Sequence, residues 1–234
     1  MSDVLSYQLN ESVATVVMDD GKVNVLSPRM QAKLNEALDR AAADKAVVLL
    51  TGRAGVFSAG FDLTVLKAGG EDAGAMLRGG FQLAERLLSF PTPVVIACTG
   101  HALAMGVFLV LSADYRIGAE GPFKIGANEV AIGMTLPLAA LEICRQKLAP
   151  AHLNRAVLNA EIYTPQDAVA AGFLDRVVPA EELPNLARQA AAQLAKLDMA
   201  AHAASKLRLR EQMLKSLHAA IDADDAAFRE RRIK

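Results

Sequence analysis

The chain predicts an α/β fold: one core of repeated strand–loop–helix units with a helical C-terminal region. Three observations carry this. In the first half, short apolar runs lead into glycine-containing loops and then into helical stretches, recurring at intervals of roughly fifty residues. In the second half the pattern changes to long, alanine-rich amphipathic segments. No flexible low-complexity linker divides the two, and 234 residues with 53% hydrophobic content can bury a substantial core.

Val4 to Leu9 and Val13 to Met18 alternate apolar and polar residues around Asn10-Glu11, the pattern of a β-hairpin that Asp19-Asp20-Gly21 ends. Ser27-Pro28 supplies an N-cap and a first-turn proline for a helix running to about Ala43. Ala46 to Leu50 reads as a short buried strand, and Gly52 to Gly60 as a loop without helical or strand period. A helix over Ala75 to Ser89 is stopped by Pro91-Thr92-Pro93, and Val94 to Ala97 forms the next strand. After Gly100 a small-residue turn enters an apolar helix from about Gly106, and Tyr115 to Ile117 reads as a further strand. Thr164 to Asp167 is a capping box for a short helix that Gly172 closes. Glu181 to Lys196 and Met199 to Leu217 are the long C-terminal helices.

Composition narrows the function. Lys plus Arg (25) nearly balance Asp plus Glu (26), so no global field favours nucleic acid or an anionic membrane. The two basic stretches, Lys206 to Arg210 and Arg229 to Lys234, read as solvated helix faces. The longest apolar run, Ala102 to Ser112, is too short to span a bilayer, and Met-Ser-Asp at the start shows no secretory pattern. Cys98 and Cys144 lie far apart in apolar sequence, as buried free thiols of a cytoplasmic protein would. The histidines (His101, His152, His202, His218) have no metal-ligand spacing.

Three loops carry the chemistry. In Val56 to Leu63, the small residues Ser58-Ala59-Gly60 let the backbone approach a ligand and expose N–H groups ahead of a helix. Gly100 to Gly106 repeats that design, and two such turns can place two N–H donors around one oxygen. In Ile125 to Gly133, a single carboxylate, Glu129, is enclosed by apolar residues and two glycines. Burial there raises a carboxylate pKa into the range where it takes up and returns a proton.

Four phrases, in order along the chain, resemble the crotonase, or enoyl-CoA hydratase/isomerase, superfamily: Phe57-Ser58-Ala59-Gly60-Phe61-Asp62-Leu63, Ala113-Asp114-Tyr115-Arg116-Ile117, Ile125-Gly126-Ala127-Asn128-Glu129 and Ala170 to Val178. The resemblance implies a right-handed spiral of ββα turns over residues 1–180, which binds acyl-CoA, and a helical oligomerisation region over 181–234. It implies a homotrimer or dimer of trimers acting on an acyl-CoA thioester, with coenzyme A part of the substrate and no separate cofactor, metal, nucleic acid or membrane.

Position by position, the resemblance places the two donors to the thioester oxygen at the N–H groups of Phe61 and Met105. Many relatives carry glycine at the latter. Coenzyme A would run along Ala59, Gly60, Asp62 and Leu63, with Lys22 and Asn24 near the adenine and Lys22 or Lys206 available to its phosphates. The family's hydratases use two glutamates. The second matches Glu129, but the first falls on Phe108, which can neither orient water nor carry a proton. One glutamate suffices for moving a double bond from C3 to C2, with Asn128 beside the base. Three alternatives stay open: an enoyl-CoA hydratase with an atypical site, a non-catalytic acyl-CoA-binding or assembly subunit, and another enolate reaction in which His101 assists.

Overall fold

A computed structural model describes the backbone of residues 3–233 and the side chains as far as Glu230. The end of the basic run, from Arg231 to Lys234, and the start at Met1-Ser2 lie outside the described side chains.

Strands β1 (Leu5–Asn10) and β2 (Val13–Met18) pair antiparallel in the expected hairpin. Parallel to β2 run β3 (Val47–Thr51), β5 (Val94–Cys98), β7 (Tyr115–Ala119) and β9 (Arg176–Val178), completing a six-stranded sheet in the order β1-β2-β3-β5-β7-β9. Its central strands are buried on both faces, which is why they read as continuous apolar runs rather than alternating ones.

A second sheet lies where the sequence reads as loop. Strands β4 (Gly55–Ser58), β6 (Gly100–Leu103) and β8 (Ile125–Gly126) pair in parallel in that order. The correction has a plain cause. These strands are two to four residues long, each contains glycine, and their partners are distant in sequence. Strands β3, β5 and β7 are thus each followed by a short one and then by helical turns, giving a spiral of ββα units.

Helix α1 (Pro28–Ala43) begins on Ser27, whose hydroxyl accepts the Met30 N–H at 3.2 Å, and buries Met30, Leu34, Ala37, Leu38 and Ala41 along one stripe. The short α2 (Leu63–Ala68) buries no residue and leads through Gly69 into α3 (Gly70–Ser89). Every residue of α4 (Met105–Leu111) is buried, so this helix is the axis of the core. Helices α5 (Leu138–Lys147), α6 (Pro150–Val157) and α7 (Pro165–Ala171) follow, the last capped by Thr164 through the Asp167 N–H and closed by Gly172 in the left-handed conformation. One face of the large sheet packs on α8 (Leu183–Leu194) through Leu183, Ala187 and Ala191; the other packs on α1, α3 and α4.

The last helix, α9 (Met199–Ile233), extends well beyond the expected end at Leu217 and lies across α3 and α5. Met213, Leu217, Ala220 and Ile221 join the main core. Arg78 of α3 pairs with Asp222 and Asp225, and the Asp224 carboxylate accepts the N–H groups of Leu138 and Ala139, capping α5 from another helix. The Lys206–Arg210 stretch is a solvated face only at Leu207, Arg208 and Leu209, while its two ends turn inward. Lys206 is 5% exposed, and its ammonium reaches Asp114 at 2.6 Å and the carbonyls of Phe90 and Thr92. Arg210 also meets Asp114, at 2.8 Å. Lys206 therefore has no donor left for a coenzyme A phosphate, which corrects that expectation. Among the described residues, no helix is long and apolar enough to cross a membrane. Cys98 and Cys144 are free and buried, as expected.

Candidate active site

The second sheet gathers the three loops. Phe61 comes three residues after the end of β4, Met105 two after β6, and Glu129 three after β8. Three adjacent parallel strands therefore point their carboxyl ends at one place, the usual position of a ligand crevice in an α/β sheet.

The first turn is drawn tight by its own hydrogen bonds. Ala59 donates its N–H to Val23 O, and Gly60 donates to the Ser58 hydroxyl, which itself donates to Asn24 O at 2.7 Å. The next N–H, that of Phe61, meets no acceptor among the described residues. Gly60 has φ +93°, and a Cβ there would stand 2.8 Å from the Ala104 Cβ and 3.1 Å from the Met105 nitrogen. Only glycine allows this approach, and the approach is what brings the two turns together.

Met105 opens α4, so its N–H has no intrahelical partner and none outside the helix among the described residues. Its side chain is fully buried. The residue before it carries strain that the sequence does not announce. Ala104 sits at φ 49° and ψ −131°, a region essentially reserved for glycine. Such backbone strain costs roughly 1–3 kcal/mol, and glycine's extra freedom in the unfolded chain returns part of that. Ala104→Gly is expected to raise stability by about 1 kcal/mol, read from chemical denaturation; a loss of stability would contradict the strain.

Glu129 initiates a 3₁₀ turn, Val130–Ile132, which Gly133 closes in the left-handed conformation; its carbonyl accepts the N–H groups of Ile132 and Met134. The residue is 6% exposed. Burial pushes its carboxyl up from the usual range to about 7, with a smaller opposing pull from its own backbone N–H. Carboxylate oxygen Oε2 is buried without a hydrogen-bond partner, and so is Oδ1 of the neighbouring Asn128. The Cys144 thiol is pushed up to about 12 by burial and then by the Glu129 charge, which sets α5 behind the carboxylate. An apolar cleft of about 390 Å³ opens beyond it, between Val130, Met134 and Leu136 on one side and Val157 and Leu158 on the other.

Phe108 is 1% exposed, three residues into α4 from Met105, and its ring lies 6.1 Å from that of Phe81. Asn24, expected beside the adenine, is instead fully buried at φ 53°. It donates to the carbonyls of Met18 and Phe57 and accepts from the Asp20 N–H. Its side chain is spent on holding the 20–25 loop to β4, which corrects that expectation. Asp62 caps α2 through the Thr64 N–H, while Lys22 and Leu63 are exposed at the mouth of the first turn. His101 accepts the Lys124 N–H through Nδ1 at 3.0 Å and meets Phe123 edge-on, a structural engagement. Among the described residues, no group of three or more His, Cys, Asp or Glu side chains could hold a metal ion.

Two N–H donors without acceptors among the described residues, on neighbouring turns, and a carboxyl whose pKa burial raises to about 7 are the kinds of group that can stabilise a developing oxyanion while a proton moves on and off carbon. Residues 8–232 match the family described as enoyl-CoA hydratase/isomerase. A Pseudomonas syringae enoyl-CoA hydratase/isomerase family protein of known structure is 49% identical, with TM-score 0.94 over 96% of this chain and 97% of that one. Human mitochondrial delta3-delta2-enoyl-CoA isomerase is 29% identical, with TM-score 0.88 over 96% and 90%. A putative enoyl-CoA hydratase of Thermus thermophilus is 32% identical over 88% of this chain and 81% of its own length. The relatives carry both hydratase and isomerase names, and the spiral of ββα turns is theirs too: the chain belongs to the enoyl-CoA hydratase/isomerase family.

Proposed function

We propose that the chain isomerises the double bond of a 3-enoyl-CoA to the 2-enoyl form, with Glu129 as the sole base and acid. The observation that carries this reading is Phe108. It fills the helix position from which the family's hydratases present their other glutamate, and it is packed against Phe81 rather than turned to solvent. A lone carboxylate supports proton shuttling but not the paired activation of water.

Glu129 removes a proton from C2, and the resulting negative charge spreads onto the thioester oxygen. The N–H groups of Phe61 and Met105 hold that oxygen, and losing one such donor typically costs about 100-fold or more in rate. The protonated Glu129 then delivers its proton to C4. A pKa raised to about 7 suits both steps, because the group is neither too weak a base nor too weak an acid near neutral pH.

One observation favours a second reading, hydration at an atypical site. The unpartnered Oδ1 of Asn128 stands in the residue next to Glu129, and a water donating to both acceptors would satisfy them. The assay separates the two. Supplied with 3-enoyl-CoA, the protein is expected to form the 2-enoyl ester at a rate at least about ten times its hydration of 2-enoyl-CoA, since a missing acid/base group costs 10²–10⁴-fold. Rapid hydration of 2-enoyl-CoA that vanishes in Glu129→Gln would instead establish the hydratase.

A further inference from the structure

The strongest feature outside the loops themselves is the contact between α3 and the two donor residues. Gly80 lies in the middle of this 20-residue helix, where glycine weakens helix propensity. A Cβ there would meet the Phe61 ring at 2.4 Å (Cε1) and 2.6 Å (Cζ) and the Met105 Cγ at 3.6 Å. Its nearest neighbours thus belong to the two residues whose N–H groups face the oxyanion position. Phe81 then meets the same Phe61 ring edge-on, centroids 6.1 Å apart at 67°.

The helix is also tied to the first turn. Gln31 Nε2 donates to Met76 O on α3 at 2.9 Å and to Leu26 O at 3.0 Å, and the Leu26 N–H donates to Gly60 O at 2.8 Å. Gln31 is 6% exposed, so these bonds are shielded from water. Because this relay joins α3 to Gly60, the helix cannot slide away from a bulkier residue at position 80. The Phe61 ring would have to yield by about 1 Å to regain ordinary contact.

We infer that Gly80 and Phe81 are positioning residues: the α3 surface seats the Phe61 ring and so sets the aim of the Phe61 N–H at the thioester oxygen. This rests on the reading of Phe61 as an oxyanion donor, and it holds for isomerisation and hydration alike. A misplacement of 1 Å in a catalytic constellation can cost about 100-fold in rate. Adding a methyl group at position 80 should therefore act on kcat while leaving the coenzyme A contacts, and hence KM, nearly unchanged.

The test compares Gly80→Ala, Phe81→Leu and the double variant Gly80→Ala/Phe61→Ala. It measures kcat, KM, the melting temperature and the isotope-edited infrared C=O stretch of bound hexanoyl-CoA. Gly80→Ala is expected to lower kcat by about 10–100-fold with KM changed less than about threefold, and to move the bound C=O stretch toward its free value. Phe81→Leu, which adds no clash, is expected to move kcat and the stretch the same way by a smaller amount. Deleting the Phe61 ring in the double variant removes the clash and keeps the N–H, and is expected to recover part of the kcat lost by Gly80→Ala, up to about the level of Phe81→Leu, since the N–H is then unclashed but unseated. Normal kcat and stretch in both single variants, or a loss that tracks melting temperature and is not rescued, would overturn the inference. The infrared reading needs no turnover. A wild-type stretch that does not shift on binding refutes the Phe61 donor and this inference with it, whereas a shifted stretch without isomerase activity refutes only the proposed reaction.

Discussion

Glu129→Gln is expected to reduce turnover of 3-enoyl-CoA by 10²–10⁴-fold while acyl-CoA binding persists, because the variant keeps the shape of the side chain and loses the titrating oxygen. In the wild type, kcat/KM should climb as pH rises and level off above about 7, where burial holds the Glu129 pKa. The residual activity of the variant should lack that inflection. Stability gives an independent reading of the same group. Between pH 4.5 and about 7 the unfolded chain has released this proton while the folded protein keeps it. Folding stability therefore falls as pH rises across that window, by roughly 3 kcal/mol in all, and levels off above it. Glu129→Gln should flatten this slope, as measured by urea unfolding at pH 4.5 and pH 8. Retained activity together with an unchanged slope would remove Glu129 from the mechanism.

Asp114→Ala is expected to cost about 3–5 kcal/mol, the largest loss of stability among the substitutions considered, because it leaves the buried Lys206 and the partly buried Arg210 without their anion. The Asp114 carboxylate accepts Lys206 at 2.6 Å, Arg210 at 2.8 Å and the Val94 N–H at 2.7 Å, and so pins α9 to the edge of β5 and β7. The surroundings offer little help. Lys147, whose pKa is pushed down to about 7 by burial and then by Arg210 and Arg116, already feels the excess of positive charge, and Asp114 is among the groups that offset it. Limited proteolysis should then cut within α9 before the spiral opens. A destabilisation below about 1 kcal/mol would mean that the ion pairs are no more than a surface feature.

The large sheet was legible because its strands, buried on both faces, leave continuous runs such as Val47 to Leu50 and Val94 to Ile96. The capped helices were legible for local reasons, with Ser27 and Thr164 marking their starts. The second sheet was not, since Gly55, Gly100 and Gly126 interrupt three short strands whose partners in the sheet lie far away in the chain. The site followed the same division. The apolar sequence around Glu129 announced its burial, whereas Asn24 and Lys206 were misread because the carbonyls of Phe57 and Phe90 that claim them lie far away in the chain. Gly80 and Ala104 were missed entirely. Nothing local distinguishes a helical glycine that seats a ring or an alanine held at φ 49°. The long reach of α9 beyond Leu217 escaped for a related reason, because past Ile221 its turns bind largely through the carboxylates of Asp222, Asp224 and Asp225.

That reach has a consequence for how the protein is made. Arg78 on α3 must wait 144 residues for Asp222 and 147 for Asp225, and the first turn of α5 waits 85 to 86 residues for its capping carboxylate. At about 5–20 residues per second, the interval between α3 and its partners on α9 is on the order of ten seconds of translation. Once Gly133 has been added all three site loops exist, but the apolar faces that receive Met213, Leu217 and Ile221 stay uncovered until α9 follows. The site-bearing spiral thus spends its first seconds with apolar surface open to aggregation, and the completion of α9 ends that exposure.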